Sequence, residues 1–279
     1  MIEIYKNGSD FKSVCKEAGL VTGFKRDSYA IIYRKGDKQI AFVSPYSGIL
    51  YTSGDIDILK EGLDVLWKMN LKIAGINMNE EYANITINYL EEAYGIKAKL
   101  LMKNDSGLSY VLEETKIKRA LFAGGCFWCI SAPFYDQDGV LNVYSGYAGG
   151  SEINPKYLDV KSQSTGHKEC ILIEYDSTKV DYTRLVDIYF ENIDPFDDGG
   201  QFIDRGDSYA PAVFTSDLPE RNAVIEYKYQ LSDECERECK VELLDNQVFY
   251  MAEDEHQDFA IKHKDLLEKE LIESGRKKI

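Results

Sequence analysis

The chain has 279 residues, 44% of them apolar and 12% aromatic, and a formal charge of −15. That composition builds sizeable cores and excludes global disorder, and no apolar run approaches the roughly 20 residues of a membrane-spanning helix. The charge is uneven: residues 1–116 carry 15 basic against 16 acidic side chains and the remainder 18 against 32, which argues against nucleic acid or an anionic membrane as partner.

The opening MIEIYKNGSD lacks the basic and apolar regions of a signal peptide, and six cysteines are too sparse for a disulfide scaffold, so a cytoplasmic protein with reduced thiols is expected. SYAIIYRK and QIAFVSP, joined by GDK, predict a β-hairpin. Over 56–69, Ile56, Leu59, Leu63, Leu66 and Trp67 recur at helical spacing. LKIAGINM then predicts a strand, EEYANITINYLEEAYG a helix ending at Gly95, and KAKLLMK and LSYVLEE two more strands. The polar ETKIKR closes this small α/β domain, 1–116.

From 117 the pattern changes. ALFAGG is a short strand whose glycines allow a sharp turn, and CFWCISAPFYD starts a helix that Pro133 limits. VLNVYSGYAGG, CILIEYD and APAVFTS predict strands, YTRLVDIYFENID an amphipathic helix, and DLPERNAVIEYKYQLSDECERECK a long one. Mixed order without regular βαβ crossovers indicates α+β.

The cysteines admit three readings. Cys126 and Cys129 form C-x-x-C, the spacing of a thioredoxin-type dithiol. Cys126, Cys129, Cys235 and Cys239 would supply four thiolates to zinc, although 105 residues separate the pairs and ECEREC lies in a helical, acidic stretch. In the third reading Cys126 is a lone nucleophile at a helix N-terminus, a position that favours the thiolate, with Phe127 and Trp128 walling a pocket for a thioether methyl group.

GCFWC (125–129) resembles the nucleophile motif of the A-type peptide methionine sulfoxide reductases, and DGVLNVYSGYAGG, NPKYLDV, STGHKECILIEYD, GGQFIDRGDSYAPAVF and FYMAEDEHQDF continue the likeness in the family's order. The resemblance covers about 118–275. It implies a two-layer α/β sandwich with a ferredoxin-like core over 117–279, preceded by the small α/β domain. It further implies that Cys126 attacks the sulfoxide sulfur and becomes a sulfenic acid, and that Phe127 and Trp128 hold the methyl group. On the same resemblance Glu169 is expected to protonate or hydrogen-bond the sulfoxide oxygen, Tyr157 and Tyr209 to assist it, and Asp204 to help hold substrate, while His256 is expected to be structural. The substrate implied is methionine S-sulfoxide, free or in proteins, with thioredoxin or another thiol as reductant and no metal, flavin or nicotinamide. A zinc-stabilised redox-sensing or binding module without turnover is the rival.

The sequence departs from the family pattern at Ser131, at Ala210–Pro211, and in a C-terminal segment without cysteine. Resolving candidates are then Cys235 and Cys239 first, with Cys129, Cys170 and Cys15 behind them. Within a regular helix, Cys129 is one turn from Cys126 and a bond between them is strained. Residues 1–116 lie outside the resemblance. Their element order faintly resembles part of an acyltransferase fold but lacks a glycine-rich pyrophosphate loop, so a substrate-presenting or reductant-docking role is the alternative.

Overall fold

In the computed structural model, strand β1 (Ile2–Lys6) precedes the expected hairpin, β2 (Tyr29–Lys35) and β3 (Lys38–Ser44), which turns at Gly36 with φ +62°. The structure describes residues 1–6, 13, 29–44, 49–71, 73–104, 107–112 and 116–276, in two compact units, Met1–Lys116 and Ile117–Ile279. Cys15 and the first two residues of the polar junction, 114 and 115, lie outside the described residues.

The first unit continues with β4 (Ile49–Gly54), α1 (Leu59–Lys68), β5 (Gly75–Met78), α2 (Glu80–Tyr94), β6 (Ala98–Asn104) and β7 (Gly107–Leu112). Its strands form one sheet in the order β1-β2-β3-β4-β5-β7-β6, antiparallel except between β4 and β5. The helical spacing of the sequence puts Leu59, Leu63, Leu66 and Trp67 on the buried face of α1, against a core containing Ile31, Ile40, Phe42 and Leu50. Asn79 caps α2 by accepting from the Tyr82 amide at 3.0 Å, and Gly95 ends it at φ +66°. β1 and β4 are strands that the sequence pattern did not mark.

The second unit is built on β8 (Ile117–Ala123), α3 (Phe127–Tyr135), β9 (Val140–Ala148), α4 (Tyr157–Lys161), β10 (Lys168–Asp176) and α5 (Tyr182–Glu191). The short ribbon β11 (Gly200–Gln201) and β12 (Asp204–Arg205) comes next, then β13 (Ala212–Thr215), α6 (Leu218–Cys235), β14 (Glu242–Asp245) and β15 (Tyr250–Met251). Helices α7 (Phe259–Lys262) and α8 (Lys264–Glu273) close it. Its sheet runs β14-β13-β8-β10-β9-β15, with β13 and β14 as the parallel pair, so the architecture is α+β.

β8 and β10 are antiparallel central neighbours, with Ala123 opposite Cys170 and Phe122 opposite Ile171. Phe122 stacks on Tyr189 of α5 and approaches Phe134 of α3, which fixes both helices over that face. Alternation sends Leu121, Ala123, Cys170 and Leu172 to the other face, into a core with Ala212, Phe214 and Phe249. Glu169 shares the helix face with Ile171, and this parity aims it at the start of α3.

One expected helix is shorter than its pattern. α6 ends at Cys235, and Glu236 takes a left-handed conformation, φ 51° and ψ 34°. Cys239 therefore lies beyond the helix, and the two thiols of ECEREC do not stand one turn apart on a common face. The long apolar–acidic run concealed a stop carried by a non-glycine residue.

Candidate active site

Strand β8 ends in Gly124 and Gly125, and Gly125 adopts φ +85°. A Cβ there would run into Gln201 and Arg276 as well as into a disfavoured backbone region, so the turn needs glycine. Cys126 follows as the N-cap of α3, with φ −54° and ψ 121°, outside the helix it starts. Its carbonyl accepts from the Cys129 and Ile130 amides at 3.0 and 3.2 Å. Its own amide donates to the Asp204 carboxyl, and the next amide, Phe127, donates to Glu169 Oε2 at 3.1 Å. The first N–H groups of α3, which have no intrahelical acceptor, are thus taken up by two carboxyls.

Glu169 is 2% exposed. Burial raises its pKa to about 8, opposed by the hydrogen bonds from the Phe127 amide and the Tyr209 hydroxyl. A carboxylic acid that keeps its proton at neutral pH results. Tyr157, the first residue of α4, is pushed up to about 12 by burial and by Glu169 and Cys126, and burial raises Tyr209 further still, so both phenols are neutral donors. The Tyr157 amide donates to Glu253 Oε1 at 3.1 Å while the Tyr147 hydroxyl donates to Oε2 at 3.0 Å, so Glu253 ties α4 to the sheet.

The walls of the site are aromatic. Phe127 is buried and lies 6.4 Å from the Tyr157 ring and 5.4 Å from His256. Trp128 stacks on Phe259 of α7 at 3.9 Å and 11°, and approaches His256 at 5.5 Å. The buried Trp128 Nε1 and both His256 ring nitrogens have no hydrogen-bond partner among the described residues. Glu253, Phe259 and Glu270 escaped the sequence reading; the first two lie in the quoted FYMAEDEHQDF block, but as one carboxylate and one aromatic among several.

Two expectations about the thiols are corrected. The helix N-terminus does not prevail at Cys126: a hydrogen bond with Cys129, burial, and the carboxyls Glu169 and Glu270 hold this thiol well above its ordinary pKa. The electropositive end of α3 is already occupied by Asp204 and Glu169, which removes its pull on the sulfur. Nor is Cys129 held away by helical geometry, because Cys126 is not helical. The Sγ atoms of Cys126 and Cys129 and a carboxylate oxygen of Glu270 all lie within 4.8 Å of one another. Cys235 and Cys239 are not part of that group, so the four-thiolate zinc centre is not assembled. Cys239 is 6% exposed and pushed up by burial, and Cys170 is fully buried with its thiol turned to the Lys168 carbonyl at 3.2 Å.

The peptide methionine sulfoxide reductase family model matches residues 118–279, essentially all of the second unit. The chain belongs to this family. The enzyme is an oxidoreductase of the peptide-methionine (S)-S-oxide class. It is 46% identical over 145 residues to peptide methionine sulfoxide reductase MsrA of Streptococcus mutans, covering 51% of this chain and 86% of that protein. It is 42% identical over 163 residues to MsrA of Bacillus licheniformis, covering 58% of this chain and 90% of that one. Reduced Mxr1 of Saccharomyces cerevisiae superposes with a TM-score of 0.50 at 23% identity, over 53% of this chain and 87% of its own, which shows a shared fold. None of the described helices of this methionine sulfoxide reductase is long and apolar enough to cross a membrane.

Proposed function

We propose that the second unit reduces methionine S-sulfoxide, in oxidised proteins or as the free amino acid, by transferring its oxygen to Cys126. One observation carries the assignment of roles: a neutral, buried Glu169 is hydrogen-bonded to the residue that follows the nucleophile. The sulfoxide methyl group packs on Phe127 and Trp128. Its oxygen takes the Glu169 proton, supported by Tyr157 and Tyr209, as Cys126 sulfur attacks. The oxygen ends on Cys126 as a sulfenic acid, the thiol proton is returned to Glu169, and methionine leaves. Asp204 holds the Cys126 amide and so positions the nucleophile.

Cys129 resolves the sulfenic acid by forming the Cys126–Cys129 disulfide. Proximity of the two sulfurs and the non-helical backbone at Cys126 support this choice over Cys235 and Cys239. Cys129 also lines a cleft of about 370 Å³ with Phe202, Leu271 and Arg276, an approach for thioredoxin or another thiol in a reducing cytoplasm. Residues 1–116 act as an accessory unit that presents substrate or docks the reductant.

The test is stoichiometric. One equivalent of methionine S-sulfoxide should give one methionine per chain, with Cys126 and Cys129 consumed together by mass mapping. Substantial reduction by Cys126→Ser would overturn the mechanism.

A further inference from the structure

Two carboxyl groups reach Cys126, but they come from different parts of the fold. Glu169 belongs to the central strand and is bound to the Phe127 amide. Glu270 belongs to α8 near the far end of the chain, and it accepts a hydrogen bond from the Cys126 thiol. Glu270, and not Glu169, is the carboxyl grouped within 4.8 Å of both sulfurs.

The rest of α8 shows how Glu270 is held there. Leu267 and Leu271 turn inward, one turn apart, to pack with Cys126, Cys129, Trp128 and Ala132. The other acidic residues of the helix, Asp265, Glu268 and Glu273, are exposed, whereas Glu270 is half-buried among the leucines. A carboxyl on the apolar face of an amphipathic helix loses hydration, a cost that is offset by a specific interaction. Here that interaction is with the thiol pair.

The chemistry of the disulfide step calls for a group in this position. When Cys129 attacks the sulfenic acid on Cys126, the attacking thiol must lose a proton and the departing oxygen must gain one. Both sulfurs are shielded from water, Cys126 at 7% and Cys129 at 4% exposure, so solvent is poorly placed to carry that proton.

We propose that Glu270 is the proton relay of disulfide formation: its carboxylate takes the Sγ proton of Cys129 and delivers it to the oxygen leaving Cys126. The Cys129–Cys126 sulfur–sulfur bond forms as the Cys126 sulfur–oxygen bond breaks. Cys129 sulfur is oxidised, Cys126 sulfur is reduced, water departs, and Glu270 returns to its carboxylate. The proposal rests on Cys129 as resolving thiol. Burial and Asp204 raise Glu270, opposed by Arg276 and by the Cys126 hydrogen bond, and the net elevation makes it a stronger base than an ordinary carboxylate.

The experiment separates the two chemical steps. Full-length wild type, Glu270→Gln and Glu270→Asp are mixed with one equivalent of methionine S-sulfoxide across pH 6–8. Methionine is measured by rapid quench, sulfenic acid by dimedone trapping, and the disulfide by mass mapping. In Glu270→Gln any change in the rate of the first methionine, which reads the loss of the Cys126–Glu270 contact, should be much smaller than the change in disulfide closure. The variant's disulfide should close at least tenfold more slowly, with sulfenic acid accumulating, and Glu270→Asp should recover part of the loss. Closure in the wild type should be nearly flat over this range, whereas in Glu270→Gln it should climb with pH as hydroxide or buffer base replaces the missing carboxylate. Equal closure rates in the two proteins, or a methionine burst slowed as much as closure, would overturn the proposal. Should Glu270→Gln not fold, a wild-type closure rate rising tenfold per pH unit overturns it alone. A wild type that forms no methionine, or a disulfide that maps to another cysteine, would instead bring down the underlying mechanism or its resolving thiol.

Discussion

Glu169 Oε2 accepts a hydrogen bond from the Phe127 amide at 3.1 Å, so the acid is bound to the first turn of the helix that Cys126 caps. Acid and nucleophile are thereby parts of one hydrogen-bonded unit, and a substrate oxygen need only enter beside them. Replacing Glu169 by Gln keeps the shape but removes the proton. Single-turnover methionine formation should slow by roughly 10²–10⁴-fold, in kcat more than in KM. In the wild type the same rate should fall as pH rises through about 8, where Glu169 loses its proton. An unchanged rate in the variant would transfer the role of acid to Tyr157 or Tyr209.

Glu169 should also leave a mark on stability. Its pKa is raised from an ordinary value of 4.5 to about 8 in the folded chain. Between those values the folded state holds a proton that the unfolded state has lost, so stability decreases as pH rises across this window. Each pH unit of the window is worth at most ~1.4 kcal/mol. Thermal melts from pH 5 to 8.5 should show Glu169→Gln gaining on the wild type as pH increases. A constant difference between the two would mean that Glu169 is not held neutral.

The recycling route can be read from serine variants. Cys129→Ser should still produce close to one methionine per chain but lose most multiple turnover with thioredoxin. Cys235→Ser with Cys239→Ser should leave that turnover within about twofold of wild type. Loss of turnover in the double variant would restore the ECEREC pair to the resolving role.

Phe259→Ala removes the ring stacked on Trp128 at 3.9 Å. The lost stacking and burial should cost about 1–2 kcal/mol of stability. KM for methionine sulfoxide should rise severalfold more than kcat falls, because the indole that holds the methyl group is no longer backed. Equilibrium unfolding and steady-state kinetics measure the two effects separately.

Much of this site could be read from short sequence blocks. GCFWC located the nucleophile and its pocket, and GHKE picked Glu169 out of 48 acidic residues. What could not be read arises from tertiary context. Glu270 sits in KDLLEKELIE, where the carboxylates look alike until Leu267 and Leu271 dock and turn one of them inward. The end of α6 was invisible because Glu236 adopts a conformation that its residue type rarely takes. β1 and β4 are short strands: IEIYK alternates over too few residues to distinguish it, and ILYTSG hardly alternates at all. The acidity of Cys126 was misjudged for a related reason: the sequence announces a helix N-terminus but not that Asp204 and Glu169 already occupy it.

The pairing of β8 with β10 restricts how this enzyme can be altered by descent or design. The nucleophile leaves the end of one strand and the acid stands near the start of its antiparallel neighbour, with Ala123 across from Cys170. Their separation is therefore counted in whole rungs of a hydrogen-bonded ladder. Sliding β10 by one residue would bring the Cys170 position to the helix face and send Glu169 to the opposite one. Substitutions in the pocket wall, in α8 or in the surrounding loops can vary substrate range and recycling by degrees. The spacing of acid and sulfur changes only in a single large step, at which the reaction is lost.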